Sequence, residues 1–110
     1  MTTIKNKAKF AAQLSYNTAS GTGSYIAFSG PIAQNPAIIT FDNQSTTAVT
    51  ISDDGTTAGK TFSAGEAMVL DLRTNKGAVA DDLTWPIGTQ FYGNSGAGVG
   101  NFYISVVYAQ

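Results

Sequence analysis

The sequence contains no cysteine and no histidine among its 110 residues. Without cysteine the chain can form no disulfide, no thiolate metal site, no iron–sulfur cluster and no thiol nucleophile. Without histidine it lacks the commonest general base and the commonest transition-metal ligand, and it cannot build a Ser-His-Asp triad. We therefore expect a non-enzymatic protein with no metal site and no cofactor.

Charge is also scarce. Asp, Glu, Lys and Arg make up 12% of the residues, about half of the ~25% that is usual in soluble domains. The formal net charge of −1 is too close to zero for electrostatics alone to drive nucleic-acid binding. No apolar run approaches the ~20 residues of a membrane span, and the first residues lack the apolar segment of a signal peptide. We expect no nucleic-acid or membrane partner, and a protein that is used in the cytosol or leaves by a route other than standard secretion.

Neutral polar residues replace the missing charge, since the chain has 14 Thr, 9 Ser, 7 Asn and 5 Gln. Short segments of alternating apolar and polar residues are separated by Gly, Asn, Asp, Ser and Pro, a pattern typical of strands and turns. The expected fold is all-β, a single antiparallel β-sandwich of jelly-roll or Ig-like type over residues 10–110. The pattern predicts strands near residues 10–16, 24–29, 37–41, 48–52, 67–72, 90–92 and 101–109, a turn at 42–45 and one helical turn within 75–83.

The predicted core consists of large apolar side chains within these segments. Because the chain has neither disulfides nor an expected metal, burial of this apolar surface must stabilise the fold. The predicted core residues are Ile38, Phe41, Val49, Ile51, Leu70, Leu72, Phe91, Phe102, Ile104 and Val106.

The acidic residues are the first candidates for chemistry. Two pairs of adjacent aspartates, at 53–54 and 81–82, could contribute to a Ca²⁺ site, but neither has the spacing of a calcium loop. Gly55 follows the first pair, which favours a hairpin turn, and the second pair is more typical of a loop or the start of a short helix. Glu66 could join an aspartate in a glycosidase-like carboxylate pair, although its position directly after Gly65 favours a turn.

Two further features suggest ligands and have plainer interpretations. The glycine-rich segment 93–100 resembles a phosphate loop in composition, but it leads into a strand and not a helix. We expect it to be a flexible hairpin connection. The aromatic residues, including Trp85, could stack on sugars or bases, but in a small sandwich most such residues are core or interface anchors. We expect Trp85 to fill a corner of the core.

The basic residues are unevenly placed. Residues 1–40 carry Lys5, Lys7 and Lys9 and no acidic residue, whereas residues 41–110 carry all seven acids. In an extended chain alternate residues lie on one side, so these lysines would form one basic edge. We predict that residues 1–9 are an extended arm whose three lysines bind an acidic partner surface. The alternative is a solvated, frayed terminus.

Several segments together resemble small β-sandwich virion proteins of tailed bacteriophages. In that pattern a strand ends in an Asn-x-Ser motif, a short strand and an Asp-Gly turn follow, and a Phe-x-Ala-Gly-Glu bend introduces a Val-Leu-Asp-Leu strand. A Gly-Thr-x-Phe-Tyr segment and a terminal strand complete it. The matching segments are residues 39–45, 49–55, 62–75, 87–92 and 100–109, so the resemblance covers about residues 37–110.

The resemblance implies a structural role in a virion, assembled in the host cytoplasm. We expect a capsid decoration or cement protein that docks on the shell and stabilises it, with the major capsid protein or other virion proteins as partners. A neck, tail or fibre position, with binding of host-surface carbohydrate, is the alternative. Because a β-protein with few surface charges has little to discourage contact between copies, we also expect a homo-oligomer, either a trimer or a dimer.

Overall fold

The computed structural model describes residues 8–72 and 84–109. Within these ranges the chain forms nine strands and one short 3-10 turn (Thr18–Ser20), and no α-helix. The all-β class predicted from the sequence is therefore confirmed. The strands are β1 (Ala8–Phe10), β2 (Leu14–Asn17), β3 (Ile26–Ala27), β4 (Ile38–Ser45), β5 (Val49–Ser52), β6 (Lys60–Phe62), β7 (Ala67–Asp71), β8 (Tyr92–Asn94) and β9 (Gly100–Ala109).

The strands form two antiparallel sheets that pack against each other, the arrangement of a β-sandwich. In the larger sheet, β9 lies between β4 and the pair β1 and β2, and β7 lies on the far side of β4. The smaller sheet has the order β3-β8-β5-β6. Among the described strands, β5 and β6 are the only consecutive ones that pair with each other. Nearly every other connection therefore crosses from one sheet to the other.

The core lies between the two sheets and follows the two-residue period of the strands. In β9, Phe102, Ile104 and Val106 are almost fully buried, while the residues between them face outward and are only partly covered. The core prediction is confirmed for eight of its ten residues, and Leu70 is half-buried and packs against them. The sequence prediction missed six buried side chains: Leu14, Tyr16, Phe28, Ile32, Ile39 and Phe62.

Ile38 is the one core prediction that is wrong. In β4, the register places Ile39 opposite Val106 and Ile38 opposite Val107. Because facing residues share a face of the sheet, Ile39 points into the core with Val106 and is fully buried. Ile38 points outward and is half-buried.

Several strands also differ from the sequence prediction: β6 was not predicted, β3 covers only two residues of the predicted 24–29, and β8 covers residues 92–94 in place of 90–92. The predicted strand at 10–16 is two strands, β1 and β2, which pair with neighbouring parts of β9. Three residues, 11–13, lie opposite only two, 105–106, so a one-residue bulge separates the two strands. The predicted turn at 42–45 is wrong because β4 continues to Ser45. The predicted helical turn within 75–83 lies outside the described residues.

Asn43 explains why β4 continues through this polar stretch. Its side chain is fully buried, and Nδ2 donates to the main-chain carbonyls of Thr47, Phe62 and Ser63 at 3.0, 3.1 and 3.0 Å. Its Oδ1 accepts from the main-chain N–H and from the hydroxyl of Ser45. A buried amide is tolerated when its hydrogen bonds are made inside the protein, and here it links β4 in one sheet to the end of β6 in the other.

Candidate interaction surface

The outer face of the larger sheet carries a row of apolar side chains. Phe10 in β1 lies opposite Val107 in β9, and Val107 lies opposite Ile38 in β4. All three face away from the core, and Phe10 is 79% exposed. A large aromatic side chain left this exposed on a sheet face is typical of a contact surface for another protein.

The rest of this face is polar but nearly uncharged. Thr40 lies opposite Ser105 on one side and Val69 on the other, and Val69 is 63% exposed. Gln13 donates a hydrogen bond to the Ser105 hydroxyl at 3.1 Å. Asp42, one of the few charged groups here, accepts a hydrogen bond from the neighbouring Gln44. Removing water from such a face would leave few charges without partners, so the desolvation cost of docking is low.

The predicted basic residues adjoin this sheet in part. Lys9 lies in β1, opposite Tyr108, and is exposed. Ala8, the residue before it, pairs with Ala109. Lys5 and Lys7 lie outside the described residues. The structure therefore places one of the three predicted partner-binding lysines in the same strand as Phe10. Because neighbouring residues of a strand point to opposite faces, Lys9 points away from the outer face that carries Phe10.

A cleft of about 270 Å³ lies between edge strands β6 and β7. Aromatic and aliphatic side chains form most of its wall, and Asp53 and Lys60 supply its charged groups. Trp85 donates from Nε1 to Oδ2 of Asp53 at 3.1 Å. Its ring packs edge-on against Phe91 and Phe41, with centroids 5.2 and 6.0 Å away. Trp85 is therefore partly buried against the core, as the sequence predicted.

The acidic residues predicted to be turn formers serve that purpose. Asp54 accepts from the main-chain N–H groups of Thr57 and Thr56 at 2.7 and 2.8 Å, in the β5–β6 hairpin that the sequence predicted at Gly55. These bonds, with one from the Ser52 hydroxyl, hold the pKa of Asp54 well below its ordinary value of 3.8. Within residues 8–72 and 84–109, no three metal-ligating side chains come together. The aspartates 81–82 lie outside the described residues.

Glu66 also closes a turn. Its Oε1 accepts from the main-chain N–H of Ser63 at 2.8 Å, and its Oε2 lies 3.2 Å from the Lys60 ammonium. The hydrogen bond from Ser63, aided by Lys60, lowers the pKa of Glu66. The turn interpretation of Glu66 is therefore confirmed.

These two carboxylates predict an acid-sensitive fold. Both pKa values are lowered by folding, so their stabilisation is complete above the ordinary pKa values and is lost as the pH falls below them. We expect the melting temperature to fall steadily below about pH 4.5. The double variant Asp54→Asn and Glu66→Gln should melt lower at pH 7 and show a flatter dependence between pH 5 and 2. Thermal melts across this pH range check the prediction, and an equally steep curve for the variant would contradict it.

The glycine-rich segment differs from its prediction. Residues 93–94 belong to β8, and residues 95–99 cross from the smaller sheet to the larger one, where β9 begins at Gly100. The expected hairpin is wrong because β8 and β9 lie in different sheets. Two hydrogen bonds fix this crossing. The side chains of Tyr16 and Ser95 share a buried hydrogen bond of 2.8 Å, and the hydroxyl of the buried Thr18 donates to Gly100 O.

The residue that contributes most to the surface, Phe10, was predicted only as the start of a strand. The sequence did contain a signal, because Phe10 is followed by two small alanines and not by the alternation that a core-facing aromatic would continue.

Comparison with protein families, with curated proteins and with solved structures finds no match for this chain. Within the described residues, no helix has the length and apolar character needed to cross a membrane.

Proposed function

We propose that this chain is a non-enzymatic structural protein of a phage virion, a decoration or cement protein that docks on the capsid and stabilises it. The observation that carries the proposal is the nearly uncharged outer face of the larger sheet, with its row of Phe10, Val107 and Ile38. Phe10 is exposed, and the other two are half-buried. The resemblance of several segments to phage virion proteins supports the major capsid protein or a neighbouring virion protein as the docking partner.

We further propose that the topology is a jelly roll and not an Ig-like fold. Strands β2 to β9 divide four and four between the sheets, in the orders β2-β9-β4-β7 and β3-β8-β5-β6. An eight-stranded double sheet whose chain alternates between layers fits a jelly roll, which occurs in viral capsid and lectin domains. An Ig-like fold keeps more of its consecutive strands in one sheet. A shared fold does not itself assign a function, so the docking face carries the proposal.

Docking on this face would use one aromatic anchor and a weaker basic contribution. Burying an exposed Phe side chain stabilises a complex by about 1.5–3 kcal/mol, whereas each exposed lysine contact adds roughly 0.2–1 kcal/mol and is screened by salt. Phe10 should therefore determine the affinity. Lys9 points to the opposite face of β1 from Phe10, so the dependence on salt should come mainly from Lys5 and Lys7. On a shell with many sites, even weak contacts increase attachment through avidity.

The glycan-binding alternative has less support. Sugar stacking requires an exposed aromatic face, and two of the candidate rings, Trp85 and Tyr16, pack within the sandwich. Copy number separates the two functions directly. A decoration protein should be present at hundreds of copies in purified virions, measured against the major capsid protein on a quantified gel, whereas a fibre-tip protein should be present at only a few.

A binding assay tests the docking face itself. Particles that lack the protein would be incubated with the full chain, with Phe10→Ser, or with a chain lacking residues 1–7, at low and at high salt. Phe10→Ser should weaken attachment roughly tenfold to hundredfold at both salt concentrations. The deletion should weaken it mainly at low salt.

Val99→Ser is the matched control for this assay. Val99 is 73% exposed and directly precedes β9, about 26 Å along the strand direction from Val107, the residue that pairs with Phe10. Its replacement removes a similar apolar group from another part of the surface. Equal attachment by Phe10→Ser and the full chain would show that the outer face is not the docking surface.

A further inference from the structure

The two sheets have four outer edges among the described strands, and three of them are protected against pairing with another chain. Strand β3 has only two residues, and β6 has three and begins with Lys60. The β1–β2 edge is interrupted by the bulge at 11–13 and carries Lys9. Short strands, bulges and lysines are the features by which sheet edges resist unwanted pairing.

Strand β7 has none of these features. It pairs with β4 without interruption from Ala67 to Asp71, and its first four residues, Ala-Met-Val-Leu, are all apolar. On either side of β7, the main-chain N–H of Asn43 donates to Glu66 O and the N–H of Leu72 donates to Ala37 O. The even-numbered residues of β7 therefore bond to β4. Because bonding alternates along an antiparallel strand, the main-chain groups of Ala67 and Val69 point away from β4, to the side on which none of the described strands pairs with β7.

The side chains of β7 are incompletely covered on both faces. Val69 is 63% exposed on the outer face. Met68 and Leu70 point inward, but they are only half-buried because they line the cleft between β6 and β7. A strand added beside β7 would therefore satisfy main-chain groups and cover apolar side chains on both faces.

The pattern of β7 is complementary to itself. If two copies meet antiparallel about a two-fold axis at Val69, Val69 lies opposite Val69 of the other copy and Met68 lies opposite Leu70. Ala67 lies opposite Asp71, so the two acidic side chains are not brought together. A register centred on Met68 would instead place Val69 opposite Ala67 and the large side chain of Leu70 opposite Glu66, so it would pair less apolar surface. Cross-strand apolar pairs stabilise a sheet and like charges destabilise it, so the Val69-centred register is favoured.

We infer that the chain forms a two-fold dimer in which the β7 strands of two copies pair antiparallel about Val69 and join their larger sheets into one. Such an interface is isologous, because the same patch of each copy contacts the other. It requires no capsid, so it can be tested apart from the proposed docking function.

The first test measures the mass of the isolated full chain by light scattering or analytical ultracentrifugation over a range of concentrations. The full chain should be dimeric at high concentration. Val69→Lys places two like charges opposite each other at the axis, and self-association should weaken at least about tenfold. Val99→Lys, which adds the same charge at another exposed valine, should leave it unchanged. Circular dichroism would establish that both variants fold.

The absence of cysteine permits a second test. Facing residues of a hydrogen-bonded antiparallel pair have Cα atoms about 5.5 Å apart, within the range that a disulfide spans. Under mild oxidation Val69→Cys should form a disulfide-linked dimer much faster than Val99→Cys. A chain that stays monomeric at its highest soluble concentration, a trimer, or equal cross-linking by the two cysteine variants would overturn the proposal. A monomer that binds another virion protein through β7 would overturn it in favour of a different partner.

Discussion

Replacing Asn43 by Asp should lower the free energy of unfolding by at least about 3 kcal/mol at neutral pH, since each buried polar group left without a partner costs roughly 1–3 kcal/mol. The Asn43 amide donates to the carbonyls of Thr47, Phe62 and Ser63. An ionised carboxylate has no hydrogen to donate, and it would face these carbonyl oxygens in a fully buried position. For a domain of this size the loss corresponds to a melting temperature lower by more than about 10 °C.

The variant should also have a distinctive pH dependence. Burial raises the pKa of the new carboxyl group, so the destabilisation should grow as the pH rises above its unfolded value near 4 and ease in acid. This trend opposes the acid sensitivity expected from Asp54 and Glu66. Asn101→Asp makes the same chemical change on the partly exposed outer face of β9 and should change stability by less than about 1 kcal/mol. Equal losses for the two variants in urea unfolding would show that Asn43 does not link the sheets.

Asn43 also illustrates where sequence reasoning fails for this fold. Asp, Asn, Gln and Ser in succession are typical turn formers because their side chains bond to nearby main chain. Here the same capability operates at the end of a strand. Ser45 bonds locally to Thr47 O, but Asn43 also donates to the main chain of Phe62 and Ser63 in another part of the fold. A local pattern cannot reveal a partner 20 residues away. The Ile38 error was avoidable, because Phe41 and the two-residue period already place Ile39 on the inner face.

The interaction surface was less predictable than the core. Burial follows from side-chain type and strand period, so β9 could be predicted almost to its ends. Whether an apolar residue such as Phe10 or Val69 is left exposed depends on which strands lie at sheet edges and on their register. Those properties arise from contacts between distant segments, here β1 with β9 and β7 with β4. The three lysines are evident in the sequence, whereas the row of Phe10, Val107 and Ile38 can be recognised only when β1, β9 and β4 are aligned.

The glycine-rich crossing between the sheets predicts a second large effect. Gly100 begins β9 with φ of +99°, a conformation that side-chain-bearing residues rarely adopt. A Cβ at this position would lie 2.5 Å from Gln44 O and 3.1 Å from Ser45 Cα. Both are main-chain atoms of β4, which is paired with β9 here, so they cannot move aside cheaply. Gly100→Ala should therefore lower the free energy of unfolding by about 2–5 kcal/mol, through backbone strain and overpacking together.

Gly96→Ala provides the matched control within the same crossing. A Cβ at Gly96 would meet nothing within 4 Å, and its φ is not positive. Because alanine restricts the unfolded chain more than glycine does, this variant should be neutral or more stable by up to about 1 kcal/mol. Urea unfolding of both variants separates a requirement for glycine at one position from general flexibility of the segment. If the two alanines had the same effect, the close contact between β9 and β4 would not be what requires glycine at position 100. A large loss at Gly100 alone would establish that this crossing is a tightly fitted connection between the two sheets, even though its composition is typical of a flexible loop.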